Sequence, residues 1–142
     1  MASLSELTTD LRDRLLAIPE LAANNSVSLG LVDDPKSTNY QNIPLPFAGV
    51  RMLFEENLND NTFVKSKQPI RVTFAVTLHV ENGSDDIVLD TSYPFLDKVR
   101  ATIESVNDFR TAYAWQYESS KIAHIDKSRL LYVQYYSVIT VK

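Results

Sequence analysis

The order of hydrophobic periodicities predicts an α+β domain. Its expected form is a mostly antiparallel sheet of about five strands with two helices packed on one face, in the order α-β-β-β-α-β-β. Three observations lead there. Apolar residues recur at three- and four-residue steps in two separate stretches, the period of a half-buried helix. Elsewhere they alternate one by one, the period of a strand with two unlike faces. Strands and helices do not take turns as a doubly wound parallel sheet requires. At 142 residues the chain has room for one core, so residues 1–142 read as a single domain.

The first helix is expected over Leu4–Ile18, where Leu4, Leu7, Leu11, Leu15 and Ile18 form one stripe. Ser3 or Ser5 can cap its start, and Glu6 follows Ser3 at capping-box spacing. Pro19 ends or kinks it, since the residue before a proline is pushed out of the α region. Leu21 to Ala23 fit one further turn. Val27, Leu29 and Leu31 alternate with Ser26, Ser28 and Gly30, giving a short strand. Asp33 to Pro46 then reads as a long polar loop, a length typical of functional or mobile segments.

Phe47 to Phe54 is the second strand, with Ala48, Val50, Met52 and Phe54 on one face. Glu55 to Asn61 reads as another polar connection, closed by Pro69. Ile70 to Val80 is the strongest pattern. Ile70, Val72, Phe74, Val76, Leu78 and Val80 alternate with Arg71, Thr73, Ala75, Thr77 and His79. This predicts a long antiparallel strand with one packed face and one more polar face.

Asn82-Gly83-Ser84 is turn chemistry. The second helix follows, with Thr91 or Ser92 as cap and Pro94 early in the first turn. Leu96, Val99, Ile103 and Val106 would be its buried stripe; residues 86 to 89 fit an earlier helical turn. Two aromatic strands close the pattern, Ala112–Ser119 with Tyr113, Trp115 and Tyr117 alternating, and Leu131 to Val141, joined through Ser120 to Arg129. Tyrosine has high strand propensity, which accounts for its clustering after residue 112.

Composition removes much chemistry. The chain has no cysteine, so disulfides, thiolate metal sites and cysteine nucleophiles are excluded. Gly30, Gly49 and Gly83 are too scattered for a phosphate-cradling loop. His79 and His124 lack metal-ligand spacing, and His79 reads as a surface or satisfied strand histidine. Asp85, Asp86 and Asp90 could hold a hard cation; equally they favour the positive end of the following helix. No serine sits in a nucleophile elbow. The net charge is −4 and the basic residues are dispersed, which argues against direct DNA contact. The N-terminus carries no secretory signal and no apolar run has membrane length, so synthesis in a cytoplasm and no membrane contact are expected. No catalytic residue, metal or cofactor is expected.

Four segments carry a family resemblance: the helix Leu4–Ile18; the strand opening on Pro44-Leu-Pro-Phe-Ala-Gly-Val and running to Phe54; Pro69–Val80 with the following Asp86–Arg100; and the closing strand Leu131–Thr140. Their linear arrangement resembles small tail proteins of tailed bacteriophages and prophages, namely the minor-tail family of Mu-like phages and the lambda-type tail terminators. The resemblance implies a structural virion protein of the tail, assembled in the bacterial host cytoplasm. It would form an oligomeric ring, commonly a hexamer, that caps the tail tube and offers a docking face to neck or head-completion proteins. The loops 33–46 and 55–69 are then expected to make contacts, with Arg51, Arg71 and the Tyr132/Tyr136 face as candidate interface groups. The competing reading is a small ligand-binding domain or enzyme with a pocket between helices and sheet, using His79 and the acidic cluster.

Overall fold

The computed structural model describes residues 3–23, 25–30, 43–58, 69–105 and 113–141. Helix α1 (Leu4–Leu16) starts where Ser3 takes an extended backbone and its hydroxyl accepts from the Glu6 N–H at 3.1 Å. That satisfies one of the N–H groups a helix start leaves unpaired. A short second helix, α2 (Pro19–Ala22), begins on the proline, whose fixed φ suits a first helical position. Asn25 then takes a left-handed φ of 48°, which asparagine tolerates better than most residues, and reverses the chain into the sheet.

The sheet has five strands in the order β1-β2-β3-β5-β4. They are β1 (Val27–Ser28), β2 (Phe47–Asn57), β3 (Pro69–Glu81), β4 (Gln116–Ile125) and β5 (Arg129–Val141). Three of the pairings are antiparallel, as expected. The fourth is not: β1 runs parallel to β2, so the sheet is mixed. The strand expected through Leu31 stops after two residues. Ser28 donates its hydroxyl to the Gly30 carbonyl at 2.8 Å, which turns the chain, and Leu29 faces solvent. Leu31 lies outside the described residues.

Between β3 and β4 the chain forms one continuous helical run: α3 (Asp85–Ile87), a π-helical turn (Val88–Ser92) and α4 (Tyr93–Glu104). The start is earlier than the expected cap at Thr91 or Ser92, because Ser84 caps it. Ser92 sits inside the helix and donates its hydroxyl to the Glu81 carbonyl at 2.6 Å, tying the π turn to the end of β3. Phe95, Val99 and Ile103 are the buried stripe of α4, with Leu96 packed at its edge. Val106 lies outside the described residues.

The main core lies between the helices and one sheet face. Leu7, Leu11 and Leu15 of α1 join Val99 and Ile103 of α4 over Val50, Phe74, Val76, Leu78 and Tyr136. The outer face of β3 was expected to be the more polar of the two. Thr73, Ala75, Thr77 and His79 are instead buried, and His79 is fully so. The His79 ring meets the Phe47 ring edge-on with centroids 5.9 Å apart, and Leu131 lies opposite on β5. The alternation is therefore real, but both faces of this central strand are covered.

Part of that cover is the turn after β1. The Gly30 carbonyl lies over Gly49 so closely that a Cβ there would fall 2.5 Å from it, and 2.7 Å from the Thr77 hydroxyl. Gly49→Ala is therefore expected to destabilise the fold by about 1–3 kcal/mol, the usual range for overpacking. Gly30→Ala, whose Cβ meets among the described residues only the end of the Arg51 side chain at 3.5 Å, should be near neutral. Urea unfolding of both variants checks this; equal midpoints would remove the close approach as the cause.

Candidate assembly surface

The four predicted interface residues do not converge. Arg51 is exposed on the outer sheet face of β2. Arg71, on the same face of β3, pairs with Glu56 at 2.7 Å. Tyr132 and Tyr136 lie on the opposite, helix-facing side of β5. Tyr132 is half-buried beside Tyr93, and burial first, then the bond to Tyr93, pushes its hydroxyl pKa up to about 12. Tyr136 is fully buried. Its hydroxyl donates to Gln134 Oε1 at 2.6 Å, and its ring meets Tyr117 edge-on at 5.7 Å. Within this protomer Tyr136 is a core group, not a surface one. The alternation of β5 was legible, but not that α4 would close over this side.

The predicted contact loops are only partly described. Residues 33–42 and 59–68 lie outside the described residues. Glu55–Asn57 belong to β2 rather than to a loop, pairing in register with Ile70–Val72. A bulge at Leu53 makes this possible. It turns Phe54, half-exposed at 51 %, onto the outer face and away from the core it was expected to join.

Among the described residues β1 pairs with β2 only at Ala48 and Gly49. At the far side β4 is the edge strand, longer than expected, running from Gln116 through Ile125. The aromatic stretch before it, Tyr113 to Trp115, precedes the strand rather than forming it. β4 has bulges between Tyr117 and Ser119 and between Ile122 and His124. Several of the large apolar side chains that remain exposed lie along these edges: Leu53, Phe54 and Leu58 on one, Ile122 and Ile125 on the other. Open backbone donors and acceptors flanked by apolar side chains are the chemistry of strand addition.

A tight turn fixes the end of the β4–β5 hairpin. Asp126 Oδ1 accepts from the N–H groups of Ser128 and Arg129, each at 2.9 Å. Burial pushes its pKa up, but these bonds and the Ser128 hydroxyl outweigh that and leave the carboxyl below its ordinary value. A depressed carboxylate pKa contributes stability above the unfolded pKa and loses it as pH falls through the folded one. Asp126→Asn should therefore flatten the acid limb of a stability-versus-pH curve below the ordinary carboxylate pKa. An acid limb as steep as that of the parent chain would show that the turn carboxylate is not the linked group.

The expected alternative pocket has a counterpart. A groove of about 300 Å³ opens where α2, Leu45-Pro46, the end of β3 and the start of α4 meet. Val80 and Phe95 contribute to its apolar lining, and Lys98 and Glu20 pair across it at 3.0 Å. His79 is not in its lining, and of the acidic cluster only Asp90 reaches it. The groove thus does not gather the polar groups that the enzyme reading needs. Among the described residues no group of three or more histidine or acidic side chains could hold a metal ion, and no helix is long and apolar enough to cross a membrane.

Sequence reasoning missed a buried polar node. Arg14 is fully buried on α1, and its Nε donates to Asp10 Oδ2 at 2.8 Å. Its other nitrogens donate to the carbonyls of Ile103 at 3.0 Å, of Ser105, and of Tyr113 at 3.2 Å. The Trp115 indole N–H donates to the same Asp10 oxygen at 2.8 Å. One side chain thus joins α1, the end of α4 and the approach to β4. The available signal was an aspartate and an arginine at i,i+4, wedged between Leu7, Leu11 and Leu15.

No protein-family model and no curated protein matches this sequence. Among solved structures the chain is similar to one from the virion of a native gene transfer agent particle. The two align over 94 % of each chain with a TM-score of 0.54 and 13 % sequence identity. At that identity the likeness is one of fold.

Proposed function

We propose that this chain is a structural component of a phage-like particle. Its role would be that of a tail terminator or minor tail protein, which caps the tail tube as an oligomeric ring and presents a docking face to the neck or head. The observation that carries this reading is the fold likeness to a chain of a gene transfer agent virion, extending over 94 % of both chains. The architecture is consistent with the role. A long, doubly covered central strand makes a stiff unit, and stiffness is what sets curvature in a ring. The acidic net charge suits contacts with protein rather than DNA.

The test adds the purified chain to a polymerising phage tail-tube protein, followed by electron microscopy. Shorter tubes bearing a ring at one end are expected. Tubes of unchanged length that never carry the chain would overturn the capping role. The groove beneath Pro46 favours a second reading, a small-molecule binding domain. Under that reading small apolar compounds would raise the thermal midpoint by mass action, and tube length would be indifferent to the chain.

A further inference from the structure

Asn82 stands directly before Gly83 in the short link between the end of β3 and the helical run. No other asparagine of the sequence precedes a glycine. The pair carries a chemistry of its own. The main-chain nitrogen after an asparagine can reach the side-chain amide carbon and close a succinimide ring, and glycine puts no Cβ in the way. Gly83 is exposed and Asn82 half-buried, so water and base reach the link.

The fold gives this pair a particular place. The Asn82 side-chain amide donates to the Asp126 carbonyl at 2.5 Å, and its backbone N–H donates to the Ser128 carbonyl at 3.0 Å. Both acceptors lie in the turn between β4 and β5, which the Asp126 carboxylate pins through the Ser128 and Arg129 N–H groups. Two residues on, Ser84 caps the helical run by accepting from the Ile87 N–H. Asn82 thus ties the end of the central strand to the far hairpin, beside a helix cap. Gly83 is not required for its backbone freedom, since its φ is not left-handed. Among the described residues a Cβ there would meet Ile87, 3.1 Å from the end of that flexible side chain.

We propose that the Asn82–Gly83 link is a site of spontaneous deamidation, held back in the folded chain by the hydrogen bond from the Asn82 amide to the Asp126 carbonyl. This stands apart from the assembly reading above. Base removes the Gly83 amide proton, and the nitrogen attacks Asn82 Cγ. The new N–Cγ bond forms, the Cγ–Nδ2 bond breaks, and Nδ2 leaves as ammonia. Water then opens the ring. Cleavage between the Gly83 nitrogen and Cγ gives aspartate; cleavage between that nitrogen and the Asn82 main-chain carbonyl carbon gives isoaspartate. One water is consumed and one ammonia released, with no change of oxidation state. To react, the amide must leave Asp126, so the hairpin clamp sets how often the ring can close. Either product undoes the tie. A carboxylate at this position is acceptor-only and cannot donate to the Asp126 carbonyl. The isoaspartate form also lengthens the main chain by a methylene just before the Ser84 cap.

The test incubates the folded chain at mildly alkaline pH beside a sample in urea. The tryptic peptide Val72–Lys98, in which Asn82 is the one side-chain amide, is followed by chromatography and mass spectrometry. Asn82 should convert in both samples to a mixture of isoaspartate and aspartate. The folded chain should be slower by about two- to tenfold, the ratio that one ordinary hydrogen bond supplies. Gly83→Ala should nearly abolish conversion, as should Asn82→Gln, whose longer side chain does not close this ring. Asp126→Ala leaves the pair untouched but unpins the turn, and should bring the folded rate up to that in urea. Asn82→Asp, the direct product, should unfold at lower urea than the parent chain. An Asn82 that converts in urea yet stays intact in the folded chain over the same period overturns the proposal. Conversion of Gly83→Ala at the parent rate excludes the ring and does the same. An Asp126→Ala rate equal to that of the folded parent overturns control by the hairpin clamp.

Discussion

Arg14→Ala should lower folding stability by about 3–5 kcal/mol, the range for breaking one side of a buried ion pair. Arg14 is the largest fully buried side chain among the described residues. Its loss would strand the Asp10 carboxylate and remove the donor to the carbonyls of Ile103, Ser105 and Tyr113. Those carbonyls include the end of α4, where the helix itself supplies no partner. A buried pair can often be replaced by apolar side chains at little or no cost. Here the double variant Asp10→Leu/Arg14→Met should remain destabilised, because the carbonyls of Ile103 and Ser105 would lose their Arg14 donor and the Trp115 indole N–H its Asp10 acceptor. Denaturant unfolding followed through Trp115, the one tryptophan, reads both variants. A double variant as stable as the parent would show that the pair, not the capping, matters at this node.

Phe74→Ala should cost about 3–5 kcal/mol as well, for a different reason. Phe74 is fully buried at the middle of β3, opposite Met52 and Tyr136 in the sheet. Its ring meets Trp115 edge-on with centroids 5.3 Å apart. Deleting it opens a cavity that the strand on either side cannot collapse to fill. Phe54→Ala provides the contrast: its half-exposed ring should change monomer stability by no more than about 0.5 kcal/mol. If the two variants unfolded at similar denaturant midpoints, the division of β2 and β3 into core and edge would be wrong.

These two sites mark what the sequence could and could not tell. Phe74 was legible, because strict alternation from Ile70 to Val80 names its face without further information. Arg14 was not, since an arginine on a helix reads as solvated until one knows which carbonyls end nearby. His79, read as a surface or satisfied strand histidine and found buried, shows a related limit. Alternation separates two faces but does not say whether something covers the second, and here the Gly30 turn and Phe47 help to do so. Strand ends were lost where bulges intervene. Leu53 shifts the phase, so Glu55–Asn57 look like loop by composition and yet pair with β3. The candidate surface was legible only in part. Arg51 was named from the sequence, but its place on the outer face of β2 became visible only once the strand register was known. The Tyr132/Tyr136 side could not be separated from the core without the position of α4.

The pairing of β3 with β5 also bears on how the chain reaches its fold. β3 is the central strand, but it waits for a partner far along the chain, Pro69 meeting Val141 and Glu81 meeting Arg129. Such ladders close large loops before their contacts form, which slows folding. Until β5 arrives, one long apolar edge stands bare beside a completed β2–β3 hairpin, the kind of transient species that aggregates. Refolding yield should fall with protein concentration more steeply than the stability of the finished domain would suggest.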